Sequence, residues 1–540
     1  MATMTGSEMT NKLSQISLTA RRAVQSQDWA RVAGCANEIL QQDKTSAEGY
    51  FLTGVVERAS QKPLKAAQAF EKALALDADR YDAAIELANQ YALAQRYDEA
   101  MKLLTNYEKA LSNSPMYLDL AGTVYSDIGL PQKAWPLYKK ANTLQPRVDL
   151  FQANLAACGV YLGKIKEAKA IYQALLKRFP GHRRNHYQLS RMEKAKDAAH
   201  IEQMKQILRT SDDTPDKNIF MYYAIAKELE DLEQWEESFE YYKKGGDAVT
   251  SVANYDVVKD IELIDKIIEV CNADWLAKGG LTGGAGRTTA GDSGKTPVFI
   301  VGLPRTGTTL TERILSNHSQ VESVGETLFL QNVLRRESGV QSTEKMNPAM
   351  VEAVAKKNIG LIAKGYLDMV NFRLGDEPIF IDKLPFNFLF LGFIAKAWPD
   401  ARIIHLSRNP MDACFSMYKQ IFTWAYKFSY SLEGLGRYYV AYDRMLMHWR
   451  ELLKDRMIEV EYEALVADHE GQTRILLDKL GLDFEQACLD FDQNKTPSAT
   501  ASSVQVREKA HTRSVNRWKK FERQLQALKD HLDEAGIYVD

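Results

Sequence analysis

Residues 302–309 read Gly-Leu-Pro-Arg-Thr-Gly-Thr-Thr, combining two glycines, one arginine and three hydroxyls in eight positions. Those types suit a multivalent anion. Glycines let backbone N–H groups come close to it, hydroxyls add donors, and the planar fork of Arg305 matches a tetrahedral oxyanion. The spacing Gly302-x4-Gly307 equals that of the loop that cradles nucleoside triphosphates. In that loop a lysine precedes the final Ser/Thr and reaches the β and γ phosphates; here Thr308 precedes Thr309. Ordinary ATP or GTP hydrolysis is therefore disfavoured, and Arg305 supplies the positive charge instead.

A loop of this kind works only if neighbouring elements hold it. Pro297–Val301 is a short apolar, β-branched run, and LTERILSNH follows the loop with helical periodicity. Strand, glycine loop and helix together aim backbone N–H groups and the positive helix end at one anion. A second such junction lies downstream, where the strand Ala401–Ser407 runs into Arg408 and a helical segment containing Ser416. A third apolar run, Pro378–Ile381, ends on Asp382 and Lys383.

The whole chain sets the context. It has 540 residues, with 69 Lys+Arg against 71 Asp+Glu and a net charge of −2, so no broad nucleic-acid or membrane-surface binding is expected and the anion site must be local. No apolar stretch reaches the roughly 18 residues of a membrane span. The first residues lack the apolar core of a secretion signal, which predicts a cytoplasmic address. Five cysteines, Cys35, Cys158, Cys271, Cys414 and Cys488, are far apart and lack CxxC spacing, so they read as small apolar residues. The nine histidines show no HExxH or similar ligand spacing, and no metal is called for.

The first half repeats. Gly54, Ala88, Gly122, Ala156 and Ser190 recur every 34 residues, and Ala66, Ala100, Ala134 and Ala168 form a second ladder twelve residues later. Small residues at such positions let paired helices approach closely. Ala226 and Ser238 repeat the twelve-residue spacing, and Ala20 with Trp29 marks an atypical first unit. The period resembles the tetratricopeptide repeat, a helix-turn-helix unit, and the array is placed at 14–275. Similar arrays bind a peptide or partner protein on their concave face; packing on the second domain or self-association are the other readings. Seven glycines between Gly279 and Gly294 mark a flexible linker at 278–296, leaving 297–540 as the second domain.

Pro304-Arg305-Thr306-Gly307-Thr308-Thr309-Leu310 after a strand resembles the 5′-phosphosulfate loop of sulfotransferases, particularly the tyrosylprotein and repeat-containing bacterial ones. The resemblance covers roughly 297–540 and is concentrated in the loops. It implies that Arg305, Thr306, Gly307, Thr308 and Thr309 hold the 5′ end of 3′-phosphoadenosine 5′-phosphosulfate (PAPS). It also implies that Arg408 and Ser416 grip the 3′-phosphate, that Tyr462 lies near the nucleotide, and that Ser502 and Arg517 sit in a segment closing over it. By the same resemblance Lys383 and Arg305 stabilise charge on the transferred group, and Glu326, 21 residues after Arg305, is the base. Glu326 as a cap for the next helix is the alternative, and His318 and His405 are rival bases. The family's arginine four residues after the serine is replaced by Gln420, with Lys419 beside it: either Lys419 substitutes or the contact is lost.

The expectation is thus an α-solenoid of tetratricopeptide repeats followed by an α/β sulfotransferase domain with a parallel sheet. Its activity would be PAPS-dependent transfer of a sulfuryl group to a hydroxyl, on a peptide tyrosine presented by the array or on a small molecule. A nucleotide kinase or NTPase, and a non-catalytic adaptor with a relict transferase domain, are the rivals.

Overall fold

A computed structural model describes residues 6–111, 113–278, 294–422, 425–494, 496–497, 500 and 503–539. The expected linker falls almost wholly outside the described residues, as does Ser502. Two compact units emerge, Met1–Leu162 and Gly163–Asp540, so the helices after Gly163 belong to the same unit as the sheet. Among the described residues no helix is long and apolar enough to cross a membrane.

The 34-residue period becomes pairs of helices. First helices begin at Ala47, Tyr81, Pro115 and Asp149 and second helices at Pro63, Tyr97, Pro131 and Ile165, each series in steps of 34. Pro63, Pro115 and Pro131 sit in the first turn, where a missing N–H costs nothing. Asp28 and Ser46 cap their helices through backbone N–H groups of Arg31 and Gly49. The small-residue ladders are buried at Ala66, Ala88, Ala100, Ala134, Ala156 and Ala168. Gly54 shows why they are small: a Cβ there would lie 2.5 Å from the Phe70 ring. The period loses its regularity after Ser190. It resumes with the pair Ile219–Asp231 and Trp235–Ala253, where Ser238 Oγ donates to the Ala226 carbonyl at 2.8 Å.

The second unit carries five parallel strands, β1 (Thr296–Gly302), β2 (Val321–Gly325), β3 (Ile379–Asp382), β4 (Arg402–Ser407) and β5 (Met457–Glu461), in the order β2-β3-β1-β4-β5. Strand β1 is central and buried from Pro297 to Gly302, as a strand covered on both faces must be. Its Val298 and Ile300 pack with Ile314, Ile381, Ile404, Leu406 and Ile458 in one core. The chain starts in the middle, builds β2 and β3 on one side and β4 and β5 on the other. Ligands bind at the carboxyl ends of strands where such an order reverses. Strand β2, with its Val-Glu-Ser-Val-Gly sequence, carries little apolar signal, and β5 alternates apolar and acidic residues; neither stands out in the sequence as the three apolar runs do.

The helices before the glycine run pack on the sheet-bearing part of their own unit. Phe239 stacks near Phe415 and Tyr418, Trp235 meets Phe521 edge-on, and the Trp275 indole donates to the Ala355 carbonyl at 2.9 Å. Cys158, Cys271, Cys414 and Cys488 are buried, Cys35 is partly so, and all five are free thiols.

Candidate functional site

Each strand of the centre delivers its last residue to the same end of the sheet. From β1 the loop 303–307 leads into the helix Thr308–Leu315. The turn needs left-handed backbone at Arg305 (φ 71°) and Gly307 (φ 100°). Thr306 Oγ1 donates to the Leu303 carbonyl at 2.7 Å, closing the turn from within. A Cβ on Gly307 would stand 2.7 Å from Cδ2 of Tyr462. Gly307→Ala should therefore cost about 1–2 kcal/mol in backbone strain alone, with displacement of Tyr462 added. A lower thermal midpoint checks this, and an unchanged midpoint would show the loop tolerates a side chain.

From β4 comes Arg408. Its Nη1 donates to the Arg305 carbonyl at 2.8 Å and its Nη2 to the Ser514 carbonyl at 2.6 Å, while the guanidinium lies 4.7 Å from the centre of the Tyr462 ring. Tyr462 begins the helix Tyr462–Ala467 at the end of β5 and lines the cleft. Burial, then the like charges of Arg408 and Arg191, pull the Arg305 guanidinium down to about 10; it stays protonated at neutral pH.

From β3 comes Lys383, fully buried. Its Nζ contacts Glu326 Oε1 at 2.5 Å, Glu312 Oε2 at 3.3 Å and Thr309 Oγ1 at 3.5 Å. Burial works against the ammonium, but Glu312 and then Glu326 outweigh it and hold its pKa above the ordinary value. The preceding Asp382 accepts from Tyr366 at 2.7 Å, Thr327 at 2.8 Å and Asn387 at 3.1 Å. Burial pushes this carboxyl up to about 6 against the pull of the two hydroxyls. Thr327 follows Glu326, so Asp382 ties the loop of Glu326 to the strand end of Lys383.

These parts surround a cleft of about 190 Å³ whose wall includes Arg305, Gly307, Thr308, Thr309, Glu326, Arg408 and Tyr462. Pro385, Phe422 and Tyr426 line it as well, and so do Val506, Glu508, Lys509, Ala510, His511 and Ser514 of the C-terminal segment. Phe422 and Tyr426 meet edge-on at 4.9 Å, and Tyr426 stacks on Phe386 at 4.5 Å. Lys383 stands behind the wall, reaching the cleft through Glu326 and Thr309.

Not every expected residue converges. Ser416 is half-buried on the helix Pro410–Tyr418 and does not line the cleft. Arg517 is turned away: its Nε meets Glu230 Oε1 at 3.1 Å and its guanidinium lies 4.6 Å from the Trp235 ring. Lys419 binds the same Glu230 oxygen at 2.7 Å, and Gln420 donates to the Tyr187 hydroxyl at 3.1 Å. Burial opposes the Glu230 charge, yet Lys419 and then Arg517 hold its pKa below the ordinary value.

The alternatives to Glu326 are otherwise occupied. His318 uses Nε2 on the Asp483 carbonyl and Nδ1 on the Gln320 N–H. His405 is fully buried between Glu459 at 2.6 Å and the Tyr442 hydroxyl at 2.7 Å. Glu326 itself is not a cap; the following helix, Phe329–Ser338, has Leu328 at its cap without a side-chain bond. Glu312 is the residue the sequence reading missed. Its one signal is helical spacing, four residues after Thr308 on the helix that leaves the loop.

Residues 297–486 match the Sulfotransferase family. A protein described as "Uncharacterized protein" from Aquifex aeolicus (strain VF5) is 31% identical over 320 residues, which is 58% of this chain and 41% of that protein. The Protein-tyrosine sulfotransferase of Drosophila melanogaster is 24% identical over 231 residues, 41% of this chain and 46% of that one. The chain thus spans less than half the length of either relative. The solved sulfotransferase domain from the Synechococcus PCC 7002 olefin synthase aligns with a TM-score of 0.31 and 21% identity, over 42% of this chain and 88% of that one. The sheet-bearing part of this chain carries a sulfotransferase-family domain, with homology of the chain to tyrosylprotein sulfotransferases, and a helical array of 34-residue helix pairs, like tetratricopeptide repeats, precedes it in the sequence.

Proposed function

We propose that the chain is a PAPS-dependent sulfotransferase acting on a hydroxyl. One arrangement carries this reading: a carboxylate, Glu326, held by a buried lysine, lines the same cleft as the two arginines Arg305 and Arg408. The residues present fit a doubly anionic nucleotide. Arg408 gives its two Nη groups to neutral carbonyls and keeps a buried Nε without a partner. Gly307 leaves open the space that a Cβ would take from Tyr462. Arg305, Thr306, Gly307, Thr308 and Thr309 would hold the 5′ end, and Arg408 with Tyr462 the 3′ side. Ser416, Ser502 and Arg517 complete the set that the resemblance implies. When bound, PAPS supplies an activated sulfuryl group.

The chain's own residues then have separable tasks. Lys383 Nζ fixes Oε1 of Glu326, leaving Oε2 to take the proton of the acceptor hydroxyl. Glu312 keeps Lys383 paired while Glu326 changes charge. Arg305 brings fixed positive charge to the anionic end of the cleft, where a preorganised cation is worth more than in water. Pro385, Phe422 and Tyr426 form an apolar, largely aromatic wall beside Glu326, which suits a phenol ring and supports a tyrosine in a peptide as the acceptor. The reading includes presentation of that peptide by the repeat array, with a protein partner or self-association as its other uses, and a cytoplasmic setting.

The decisive measurement is transfer of labelled sulfate from PAPS into a proteome and a metabolite extract, which identifies the acceptor class. A thermal-shift comparison precedes it. Adenosine 3′,5′-bisphosphate at a hundredfold excess over Kd should stabilise by about 2.7 kcal/mol. Stabilisation by ATP with Mg²⁺ alone would overturn the proposal in favour of a kinase or NTPase.

A further inference from the structure

Among the described residues of the cleft wall, two side chains keep a buried nitrogen without a hydrogen-bond partner: Arg408 through Nε and His511 through Nδ1. A buried polar atom left unpaired costs about 1–3 kcal/mol, and native structures retain few of them. Because both line one cleft, a single ligand there can supply both missing partners.

The two are mechanically joined. Arg408 Nη2 holds the carbonyl of Ser514, three residues after His511, so the strand-end arginine staples the segment that carries the histidine. His511 Nε2 lies 3.6 Å from Glu508 Oε2, a carboxylate that also binds Arg513. The other charged or titratable groups around this end of the cleft are Lys509 from the same segment, Arg408 and Arg305 from the loops, and Tyr462 and Glu463 at the start of their helix. Glu463 Oε1 is already committed to the backbone N–H of Asn409. Its Oε2 is a buried acceptor without a partner of its own; the two unpaired atoms on the cleft wall are nitrogens, Arg408 Nε–H and, with the proton on it, His511 Nδ1–H, and both call for an acceptor. A phosphate has several acceptor oxygens and serves Arg408 Nε–H and His511 Nδ1–H together; a lone carbonyl or hydroxyl saturates fewer of them.

We propose that His511 is a binding residue for the 3′-phosphate of the nucleotide, working with Arg408 Nε, so that the ligand's own charge holds the segment Val506–Ser514 over the cleft. This rests on the nucleotide reading above and adds to it a residue outside the family's motif positions.

Isothermal titration with two nucleotides separates the possibilities. Adenosine 3′,5′-bisphosphate and adenosine 5′-monophosphate differ by the 3′-phosphate alone. For His511→Ala the bisphosphate should lose at least about tenfold in affinity while the monophosphate changes by less than about twofold. His511→Asn, whose amide takes the place of Nδ1, should recover much of the difference, and His511→Gln should not. A second readout is taken with both proteins saturated, so that affinity does not enter: bisphosphate should protect the bonds after Lys509 and Arg513 from trypsin in the wild-type chain and not in His511→Ala. Equal losses for both nucleotides, or no loss, would overturn the role of His511 while leaving the nucleotide site standing. Failure of the wild-type chain to bind bisphosphate would overturn the nucleotide reading, and this proposal with it.

Discussion

Lys383→Met is expected to abolish most of the sulfuryl transfer and to lower the stability of the sheet-bearing unit. Lys383 is the cation between Glu312 and Glu326, and it has no exposure to water. Without it two carboxylates confront each other at the end of β3. Breaking a buried ion pair by removing one partner typically costs about 3–5 kcal/mol. The catalytic loss follows from geometry: Glu326 loses the contact that fixes Oε1, and the floor under Thr309 loses its charge. Removal of one preorganised electrostatic group costs about 10²–10³ in kcat, and the misplaced base adds to that. Lys383→Arg should not restore activity, because a planar fork cannot replace a compact ammonium in a site enclosed by three oxygens. Turnover per folded molecule, measured beside the thermal midpoint, checks both halves. A Met variant within tenfold of wild-type turnover would show that Lys383 is only structural.

Glu326→Gln should show the opposite profile, a large loss of rate with little loss of binding or fold. Its side chain is about one-third exposed at the cleft, and Lys383 keeps Glu312 as a counter-charge when it is neutralised. If Glu326 takes the acceptor proton, kcat should fall by about 10²–10⁴, while affinity for adenosine 3′,5′-bisphosphate stays within about threefold. Glu312→Gln is the internal control, since Glu312 touches Lys383 but does not line the cleft. A Glu326→Gln enzyme with near-normal kcat would remove it from the chemistry.

Much of this architecture was legible in the residues because its signals are local. The 34-residue ladders of small residues mark helix crossings, and a crossing leaves no choice of residue size at Gly54. The loop 302–309 announces itself because glycine, arginine and hydroxyls must be consecutive to surround an anion. What escaped was set by contacts between distant segments. Glu312 sits in a helical stretch that reads as an ordinary charged face, and only the fold brings Lys383, 71 positions later in the sequence, against it. Lys383 reads as a strand-end cation, yet the closure of Glu326 and Thr309 over it places it behind the wall. Arg517 has the type and position of a phosphate ligand, but the Trp235 ring and the Glu230 carboxylate hold it elsewhere. His511 has no motif at all; its significance lies in a buried ring nitrogen without a hydrogen-bond partner on the cleft wall, which only the fold reveals.

The carboxylate of Glu230 has a consequence for modularity. It sits on a helix that the periodicity assigns to the repeats, yet it balances Lys419 and Arg517 within one compact unit. A transferase half transplanted from the glycine run onward would carry two cations whose counter-ion stayed behind. The compact unit that holds Glu230 and both cations starts near Gly163, so the last helices before the glycine run belong with the sulfotransferase-family domain.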